Sequence, residues 1–563
     1  MKHIAIEKSL SSYVAIGAVA VTLIITDRIN TEPVNIPKML FLVGLAGAVL
    51  GMMLWSKALL QRGIRSILCL ILVFSILLIL SSALSSNPFE RGLYGAFGRN
   101  TGALTYISLA LVLLAVSTFE KLSSYIKIIK AFVIAAVVNV IYSLFAGAGY
   151  DVFTWSNPFN GAVLGTFGNP NFIGAFMGIF VSTMFIALIA YRTERMKFLI
   201  ASLGILLGVI VIKLSDALQG AIIPMFGIAA LSLIYLKYFP KYKGFRITLC
   251  IVYILGFIVG GLGILNRGPL AQLLYKPSLT FRGEYWQTGI NMGMEKPLFG
   301  VGIDSYGTYF RTFRNESATV FPGVDVTTDT AHNVFIDIFS GGGFPLLFVY
   351  LLINVFVAVA AIKHFRVSTK FDPYFTFFFI CWLTYTIQSI FSINQIGLAI
   401  WGWIFAGAII GYSKLDTDQI ESSRVNSKSK KQDSQQSLAP AGGALSAIVG
   451  LVVGLLIALP PMVRDTQFRN IQTKNGDSQK LIELVNSWPL DSVRMNRASV
   501  LLANSSLNVL SAQVALNGTK YFPNDYAAWY TLYELSAEGS TERESYRKIL
   551  NRIDPFNPKY FEK

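Results

Sequence analysis

The chain has few charged residues and few cysteines for its length. Only 14% of its 563 residues are charged, whereas 53% are hydrophobic. A soluble globule of this composition would expose too much apolar surface, so the sequence excludes an ordinary soluble domain and predicts a polytopic membrane protein. The three cysteines, Cys69, Cys250 and Cys381, all lie inside apolar stretches. This placement excludes a disulfide framework and predicts small buried hydrophobic side chains.

Acidic residues and histidines are also scarce. There are 31 acidic residues against 47 lysines and arginines, so the formal net charge is +16. The basic residues stand in short clusters between apolar stretches, which is typical of charges that orient a protein in a membrane, and no basic face is interleaved with stacking aromatic side chains. We therefore expect no nucleic-acid partner. None of the three histidines stands among other metal ligands, so neither a metal nor another cofactor is expected.

Long apolar stretches dominate what the sequence does contain. A stretch of about 20 apolar residues is long enough to cross a bilayer as a helix. The expected fold is therefore all-α, a membrane bundle of about 12 core helices and one tethering helix. The predicted spans lie near residues 10–26, 36–55, 64–84, 103–119, 124–147, 171–191, 197–214, 218–239, 247–266, 333–361, 375–393, 397–413 and 441–463.

The basic clusters recur in every second loop and so predict an orientation. They lie at residues 57–65, 121–130, 192–197, 237–246, 363–370 and 414–431. Because basic loops stay on the cytoplasmic side, we expect a cytoplasmic N-terminus. The loop at 266–331 and all residues after 463 are then extracytoplasmic.

Composition divides the chain into four predicted parts. Residues 1–413 form the membrane core, 414–440 a disordered cytoplasmic linker, 441–463 the thirteenth span, and 464–563 a small extracytoplasmic helical domain. Three similar phrases in that domain contain Pro489, Pro523 and Pro555, a spacing that resembles tetratricopeptide repeats of about 34 residues. An ordinary small helical bundle is the alternative. A protein partner is the usual expectation for a concave helical array.

The loop at 266–331 is the longest polar interval between spans and is therefore the predicted site. Arg282 lies beside Glu284, Tyr285 and Trp286, and the loop ends at His332. An arginine outside the cytoplasm can hold a phosphate or pyrophosphate through paired hydrogen bonds, and an imidazole can accept a proton. The alternatives are an ion pair with Glu284, contact with lipid headgroups, and a histidine that only ends a helix.

Two further features of the predicted outer side have structural alternatives. Arg99 follows the glycine-rich sequence 95–98, and a structural salt bridge is the favoured interpretation for it. The turn at 165–171, which contains Asn169 and Asn171, could bring backbone amides close to a phosphate, although turn formation needs the same residues. The glycine run 341–343 predicts a break in the tenth span.

Three motifs in one order resemble those of the bacterial O-antigen ligase and polymerase superfamily. They are Leu164–Asn171, the series from Arg282 through Trp286 to Pro297–Gly302, and Ala331-His332-Asn333 before an apolar helix. The resemblance covers roughly residues 10–415. It implies a metal-independent glycosyltransferase of the bacterial cytoplasmic membrane. Such an enzyme moves a glycan from undecaprenyl pyrophosphate to a hydroxyl of a glycan, lipid or protein acceptor on the outer side.

The resemblance also implies roles for residues. Arg282 would hold the pyrophosphate and His332 would activate the acceptor. A second arginine usually follows a serine before an outer-facing helix, but this sequence has Gln219 there, so Arg99 or Lys213 would supply the missing charge or the donor would differ. The predicted substrate-binding residues are Arg99, Lys213, Gln219, Glu284, Tyr285, Trp286, Asn169, Asn171 and Asn333.

Two other functions fit parts of the sequence. A polysaccharide exporter or flippase would need ionisable residues within its spans, and these spans are nearly free of them. A non-catalytic scaffold for envelope assembly would use the C-terminal domain and would tolerate the missing arginine.

Overall fold

The computed structural model describes residues 2–154, 158–415, 441–473 and 477–561, so most of the predicted linker at 414–440 lies outside the described residues. Helix accounts for 76% of the chain, and the described residues contain no strand. Eleven described helices are long and apolar enough to cross a membrane. Two shorter apolar helices, Ala103–Val116 and Ile396–Tyr412, correspond to the predicted fourth and twelfth spans. The predicted all-α polytopic fold is confirmed.

The helices of the membrane part include one for each of the first twelve predicted spans, and they differ most at the first, which begins at residue 2 where residue 10 was predicted. They are α1 (Lys2–Leu23), α2 (Asn35–Ser56), α3 (Arg65–Ala83), α4 (Phe89–Tyr94), α5 (Ala103–Val116), α6 (Leu122–Gly147), α7 (Pro170–Ala190), α8 (Arg195–Leu214), α9 (Leu218–Lys237) and α10 (Lys243–Ile264). The polar loop contains α11 (Ala271–Leu274), α12 (Pro277–Glu295) and α13 (Tyr306–Phe313). The membrane part ends with α14 (Val334–Val367), α15 (Pro373–Phe391) and α16 (Ile396–Tyr412).

One long helix, α17 (Ala441–Thr473), leads to a set of short helices that we call the C-terminal helices. They are α18 (Ser478–Val485), α19 (Ser492–Asn504), α20 (Asn508–Tyr521), α21 (Tyr526–Leu535) and α22 (Thr541–Ile553). Helix α17 continues ten residues past the predicted end of the thirteenth span, and its Phe468 is buried in the core of the C-terminal helices. Helix α17 therefore contributes both to the membrane part and to the core of the C-terminal helices.

The helices of the membrane part differ in how much of their surface is buried. Every residue of α16 is buried, and Trp401 packs edge-on against Phe132 at 5.2 Å between ring centroids. A helix that is apolar all round belongs at the centre of a bundle. Helix α10 is the opposite case, because only 6% of its most apolar stretch is buried and nearly all of its surface faces away from the bundle.

The cysteines are less uniform than predicted. Cys381 is buried and Cys250 is partly buried, but Cys69 on α3 is exposed. The prediction of burial is wrong for Cys69 because lipid-facing and core-facing positions are equally apolar in a membrane helix.

Helix α17 packs closely on α2 through small residues. A Cβ atom at Gly47 would collide with the carbonyl oxygen of Gly450, and one at Gly51 with that of Ser446. Glycines four residues apart let two helix backbones approach, which is the usual device of helix pairs in lipid. The predicted tethering helix is therefore a packed member of the bundle.

Several polar connections converge on one end of the bundle, which we call the loop face. It carries residues 24–34, 84–102, 158–169, 214–218 and 265–333. The Asn35 side chain donates to the carbonyl of Gly98 at 2.7 Å, which joins the start of α2 to the second of these loops. The C-terminal helices lie on the same face, since the Leu490 amide donates to Glu90 at 3.3 Å.

The three predicted repeat phrases each supply a helix N-cap. Asp491 accepts a hydrogen bond from the Arg494 amide at 2.8 Å, Asp525 from the Ala528 amide at 3.1 Å, and Asn557 from the Lys559 amide at 3.1 Å. A carboxylate or amide oxygen at this position satisfies a free amide of the first turn. The regular spacing of the phrases thus reflects regular helix starts, while the tetratricopeptide resemblance and the domain boundaries stay predictions.

Candidate functional site

Helix α12 carries the predicted arginine of the polar loop. Pro277 occupies its first turn, where a missing amide hydrogen costs nothing, and the helix packs on α14. Arg282 is half-buried, and no carboxylate in the described part of the chain lies within ion-pair distance of it. Burial lowers the pKa of the guanidinium from its ordinary value, although it stays a cation at neutral pH. The predicted pairing partner, Glu284, instead accepts a hydrogen bond from Ser317 at 3.0 Å.

His332 lies in a tight turn immediately before α14. Its backbone has φ of +53°, in the left-handed region that residues other than glycine seldom adopt. The Thr330 hydroxyl accepts from the His332 amide at 3.1 Å, and Asp337 accepts from the Ala331 amide at 2.7 Å. Asn333 caps α14 by accepting from two amides of its first turn. The turn is therefore held on both sides of the imidazole.

Tyr285 joins the arginine helix to the histidine turn. Its ring stacks on the imidazole of His332 with 5.8 Å between ring centroids and 28° between the planes. Its carbonyl accepts a hydrogen bond from the Tyr306 hydroxyl at 2.6 Å. Since Tyr285 is one helical turn from Arg282, the two candidate catalytic residues share one neighbourhood.

The electrostatic surroundings keep His332 neutral. Burial, reinforced by the positive charges of Arg282 and Arg99, lowers the pKa of His332 to about 4, while Asp329 acts in the opposite direction. An imidazole with this pKa is unprotonated at neutral pH and is free to accept a proton.

Arg99 has a different environment from Arg282. Its guanidinium forms a two-pronged ion pair with Asp329, with Nε to Oδ2 at 2.7 Å. The preceding turn is fixed by Asp304, which accepts from the amides of Ala96 at 2.7 Å and Thr101 at 3.1 Å. Arg99 therefore forms a salt bridge within the protein, as the favoured interpretation of the sequence expected.

A small cavity lies behind the histidine turn, between the polar loop and the helix bundle. Its volume is about 40 Å³, which is room for a few water molecules. Three carboxylates, from Asp304, Asp329 and Asp337, line it together with Arg99. Neither Arg282 nor His332 lines this cavity.

The predicted binding residues on α7, α8 and α9 form a second group. Asn169 caps α7 by accepting from the Asn171 amide at 2.9 Å, and the Gln219 side-chain amide donates to the Asn171 carbonyl. The Gln219 Oε1 atom is buried and has no hydrogen-bond partner within the described residues. Lys213 is exposed at the end of α8. None of the hydrogen bonds or ion pairs of the described chain joins these residues to His332.

Trp286 lies on the bundle side of α12. Its indole Nε1 is buried without a hydrogen-bond partner among the described residues, and its ring centroid is 6.5 Å from that of Phe391. An indole N–H normally finds an acceptor when it is buried. The indole donor of Trp286 is therefore unused within the described residues.

Three carboxylates and a tyrosine at this site were not among the predicted site residues. Asp329, Asp304 and Asp337 hold the turns that carry Arg99 and His332, and Tyr306 holds Tyr285. A usable signal existed only for Asp337, which follows Ala331-His332-Asn333 in the first turn of a helix, where an acidic side chain commonly serves a free amide. Within the described residues, no group of three or more histidine, cysteine or acidic side chains is arranged to hold a metal ion.

The fold and this site together define a multi-pass helical membrane protein with a cation and a neutral imidazole on its loop face. A family model described as O-antigen ligase matches residues 173–351, which include Gln219, Arg282 and His332. The match confirms the predicted resemblance to the O-antigen ligase superfamily and supports a membrane glycan transferase of that type. The search of curated proteins gave no match.

Proposed function

We propose that the protein transfers a glycan from undecaprenyl pyrophosphate to an acceptor hydroxyl on the outer side of the cytoplasmic membrane, without a metal ion, during surface polysaccharide assembly. Arg282 holds the pyrophosphate and His332 activates the acceptor. One observation carries the proposal: Arg282 is a half-buried cation with no carboxylate partner in the described chain, beside an imidazole that is neutral. A buried cation without a counter-charge is costly, and an anionic ligand removes the cost.

The reaction is a displacement at the anomeric carbon. The acceptor oxygen forms a bond to that carbon while the bond from carbon to the pyrophosphate oxygen breaks. His332 takes the proton of the acceptor hydroxyl, and the electron pair of the broken bond leaves with the pyrophosphate. Negative charge grows on the leaving group as the reaction proceeds, so a fixed guanidinium stabilises the transition state more than the ground state.

Donor binding also adjusts the base. Arg282 lowers the pKa of His332 in the free protein. A pyrophosphate bound to Arg282 cancels much of this positive field, so the pKa of His332 rises when the donor is in place. The imidazole thus becomes a stronger base only when a donor is present, which brings its pKa closer to neutral pH, where general-base catalysis is most effective.

The charge distribution supports the proposed sidedness. The face opposite the loop face carries the basic clusters at 57–65, 121–130 and 237–246, and such clusters stay in the cytoplasm. The loop face and the C-terminal helices are then extracytoplasmic. Trp286, with a free indole donor, is the better candidate for contact with a sugar, because the ring of Tyr285 is already stacked on His332.

Two variants and one control test this proposal. In Arg282→Met and His332→Gln, we expect release of undecaprenyl pyrophosphate from an undecaprenyl-pyrophosphate-linked oligosaccharide to fall by about a hundredfold or more. Membranes of cells lacking the chromosomal copy supply the acceptor. Arg267→Met is the matched control, since Arg267 is an exposed arginine of the same loop. At equal abundance, wild-type rates in both test variants would refute the proposal and favour the scaffold or exporter alternatives.

A further inference from the structure

Residues 306–324 lie between the candidate site and the C-terminal helices, and we call them the bridging segment. It comprises α13, the following turn and a short helical turn at Thr319–Gly323. One side of it contacts α12, and the other side contacts α22 and the residues after it. The contacts that hold this segment in place therefore also affect the position of α12.

On the side of the C-terminal helices, the bridging segment is held by one carboxylate. Asp554, at the end of α22, accepts hydrogen bonds from Arg314 Nη2 at 2.6 Å and from Arg311 Nη1 at 2.8 Å. The side chains of Asp554 and Arg314 are both fully buried, and that of Arg311 is 13% exposed. The Thr312 hydroxyl donates to the Ile553 carbonyl at 2.9 Å beside them. Two guanidinium groups of the loop thus share one counter-charge from the C-terminal helices.

The same two arginines also close the bridging segment on itself. Arg314 Nη1 donates to the Val324 carbonyl at 2.8 Å, and Arg311 Nη1 donates to the same oxygen at 3.1 Å. Val324 is the last residue of the bridging segment. Asp554 therefore fixes both arginines, and the arginines fix the far end of the segment.

On the side of the site, the bridging segment contacts α12 along its length. Phe321 packs edge-on against Phe281, next to Arg282, at 4.8 Å between ring centroids. Phe310 packs against Tyr285 at 5.9 Å between ring centroids, and the Asn291 amide donates to the Phe313 carbonyl at 2.9 Å. These contacts flank Arg282 and Tyr285, and the ring of Tyr285 stacks on His332.

From these contacts we propose that Asp554 is a positioning residue: it holds the bridging segment against α12 and so fixes Arg282 and the Tyr285–His332 stack. This inference rests on the proposed function of Arg282 and His332. It assigns the C-terminal helices a role inside the transferase itself. In this role the C-terminal helices support one side of the candidate site.

Charge is the reason why the effect depends on Asp554. Arg314 is fully buried, and its Nε already lacks a hydrogen-bond partner among the described residues. Without Asp554, two buried guanidinium groups would keep no counter-charge, a state that proteins relieve by exposing the ions to water. Arg311 and Arg314 would then turn outward and release the Val324 carbonyl and the contacts with α12.

The test compares three variants of the full-length protein in membranes. Asp554→Asn keeps the shape of the side chain and removes its charge. Arg314→Met removes the partner from the loop side, so the test does not depend on the C-terminal helices tolerating a change at Asp554. Glu534→Gln is the matched control, because its exposed carboxylate pairs with Lys559 within the C-terminal helices and does not touch the loop.

Two measurements report positioning. Hydrogen exchange of the amides in residues 277–295 should speed up in Asp554→Asn and Arg314→Met but not in Glu534→Gln. Turnover should fall by up to about a hundredfold, the effect of misplacing a catalytic group by about 1 Å. The variant that combines Asp554→Asn with Arg314→Met should lose no more activity than either single variant, since the two residues act as a unit.

The pH profile separates positioning from general destabilisation. If α12 loosens, His332 becomes more exposed to water, and the acidic limb of kcat/KM should move from near pH 4 towards the ordinary histidine value of about 6.5. An unchanged limb together with unchanged exchange in residues 277–295 would overturn the inference. Wild-type behaviour of Asp554→Asn with inactive Arg282→Met would overturn it while leaving the proposed function intact. Faster exchange at 277–295 with active Arg282→Met would instead defeat the proposed function alone.

Discussion

Arg99 and Arg282 lie on the same face of the bundle and act on the same imidazole, yet their surroundings differ. Arg99 meets Asp329 in a two-pronged ion pair, and its turn is held by a second carboxylate, that of Asp304. Arg282 has no carboxylate within ion-pair distance in the described chain, although it too is half-buried. One arginine is neutralised by the protein itself, whereas the other is left for a ligand.

The difference comes from where the acidic residues of this scarcely acidic chain are placed. Asp304, Asp329 and Asp337 all gather around the cavity behind the histidine turn. Asp554 in turn serves the two arginines of the bridging segment. These four carboxylates thus serve other groups, and Arg282 keeps its charge for an anion.

The largest expected effect tests whether the planar shape of the guanidinium matters more at position 282 than at position 99. Arg282→Lys keeps the charge but loses the planar fork that grips two phosphate oxygens, so we expect turnover to fall by about a hundredfold. In Arg99→Lys, the ammonium can still pair with Asp329, so we expect a change of about threefold or less. Rates of undecaprenyl pyrophosphate release, at equal protein abundance, measure both. Equal losses in the two variants would erase the distinction drawn between them.

A second prediction gives Arg282 the partner that it lacks. Trp286 is four residues further along α12, so a glutamate there can reach the guanidinium. We expect Trp286→Glu to raise the KM for the donor about tenfold more than Trp286→Gln does, because the new carboxylate competes with the pyrophosphate. The glutamine variant loses the indole equally and so serves as the control. A matching KM in the two variants would mean that Arg282 does not contact the donor.

A third, smaller effect concerns the pH dependence of kcat/KM. Asp329 raises the pKa of His332 and Arg99 lowers it. Asp329→Asn should therefore move the acidic limb to lower pH, and Arg99→Met should move it to higher pH. The acidic limb of kcat/KM reports the pKa of His332 in the free protein. His332 must be neutral to act as a base, so activity is lost as the pH falls through this pKa. Shifts in the same direction would show that the pair does not act on His332 electrostatically.

Much of the fold could be predicted because membrane helices must be long and apolar. Apolar length located α2 and α3 to within one residue at each end. The glycine run located the break in α14, where Gly343 adopts φ of +70°. In that break, the Pro297 carbonyl accepts from the Phe344 amide at 2.8 Å, so two separate sequence motifs meet. The sequence could not predict which face of a helix contacts lipid, because both faces are equally apolar. Cys69 is an example, since it is exposed.

The candidate site was less accessible to prediction. Arg282 and His332 stood out as a cation and an imidazole in the one long polar loop, and the structure brings them together through Tyr285. The choice of Asp329 as the partner of Arg99 depends on a contact across 230 residues, which no local pattern encodes. The bridging role of Asp554 likewise depends on how the C-terminal helices dock on the loop.

The smallest expected effect concerns the position where this chain departs from the superfamily pattern. Gln219 lies at the start of α9, and Lys276 just before α12 reaches Asp216 of the same corner at 3.8 Å, so the corner borders the helix that carries Arg282. Gln219→Arg should place a second guanidinium at the donor site and lower the KM for the donor about two- to fivefold. A helix N-terminus repels a cation, which limits the gain. Gln219→Met, which removes the polar group without adding charge, is the control for packing. If Gln219→Arg leaves the KM unchanged while Gln219→Met abolishes transfer, the glutamine itself serves this donor, and the departure marks a different donor contact at this corner.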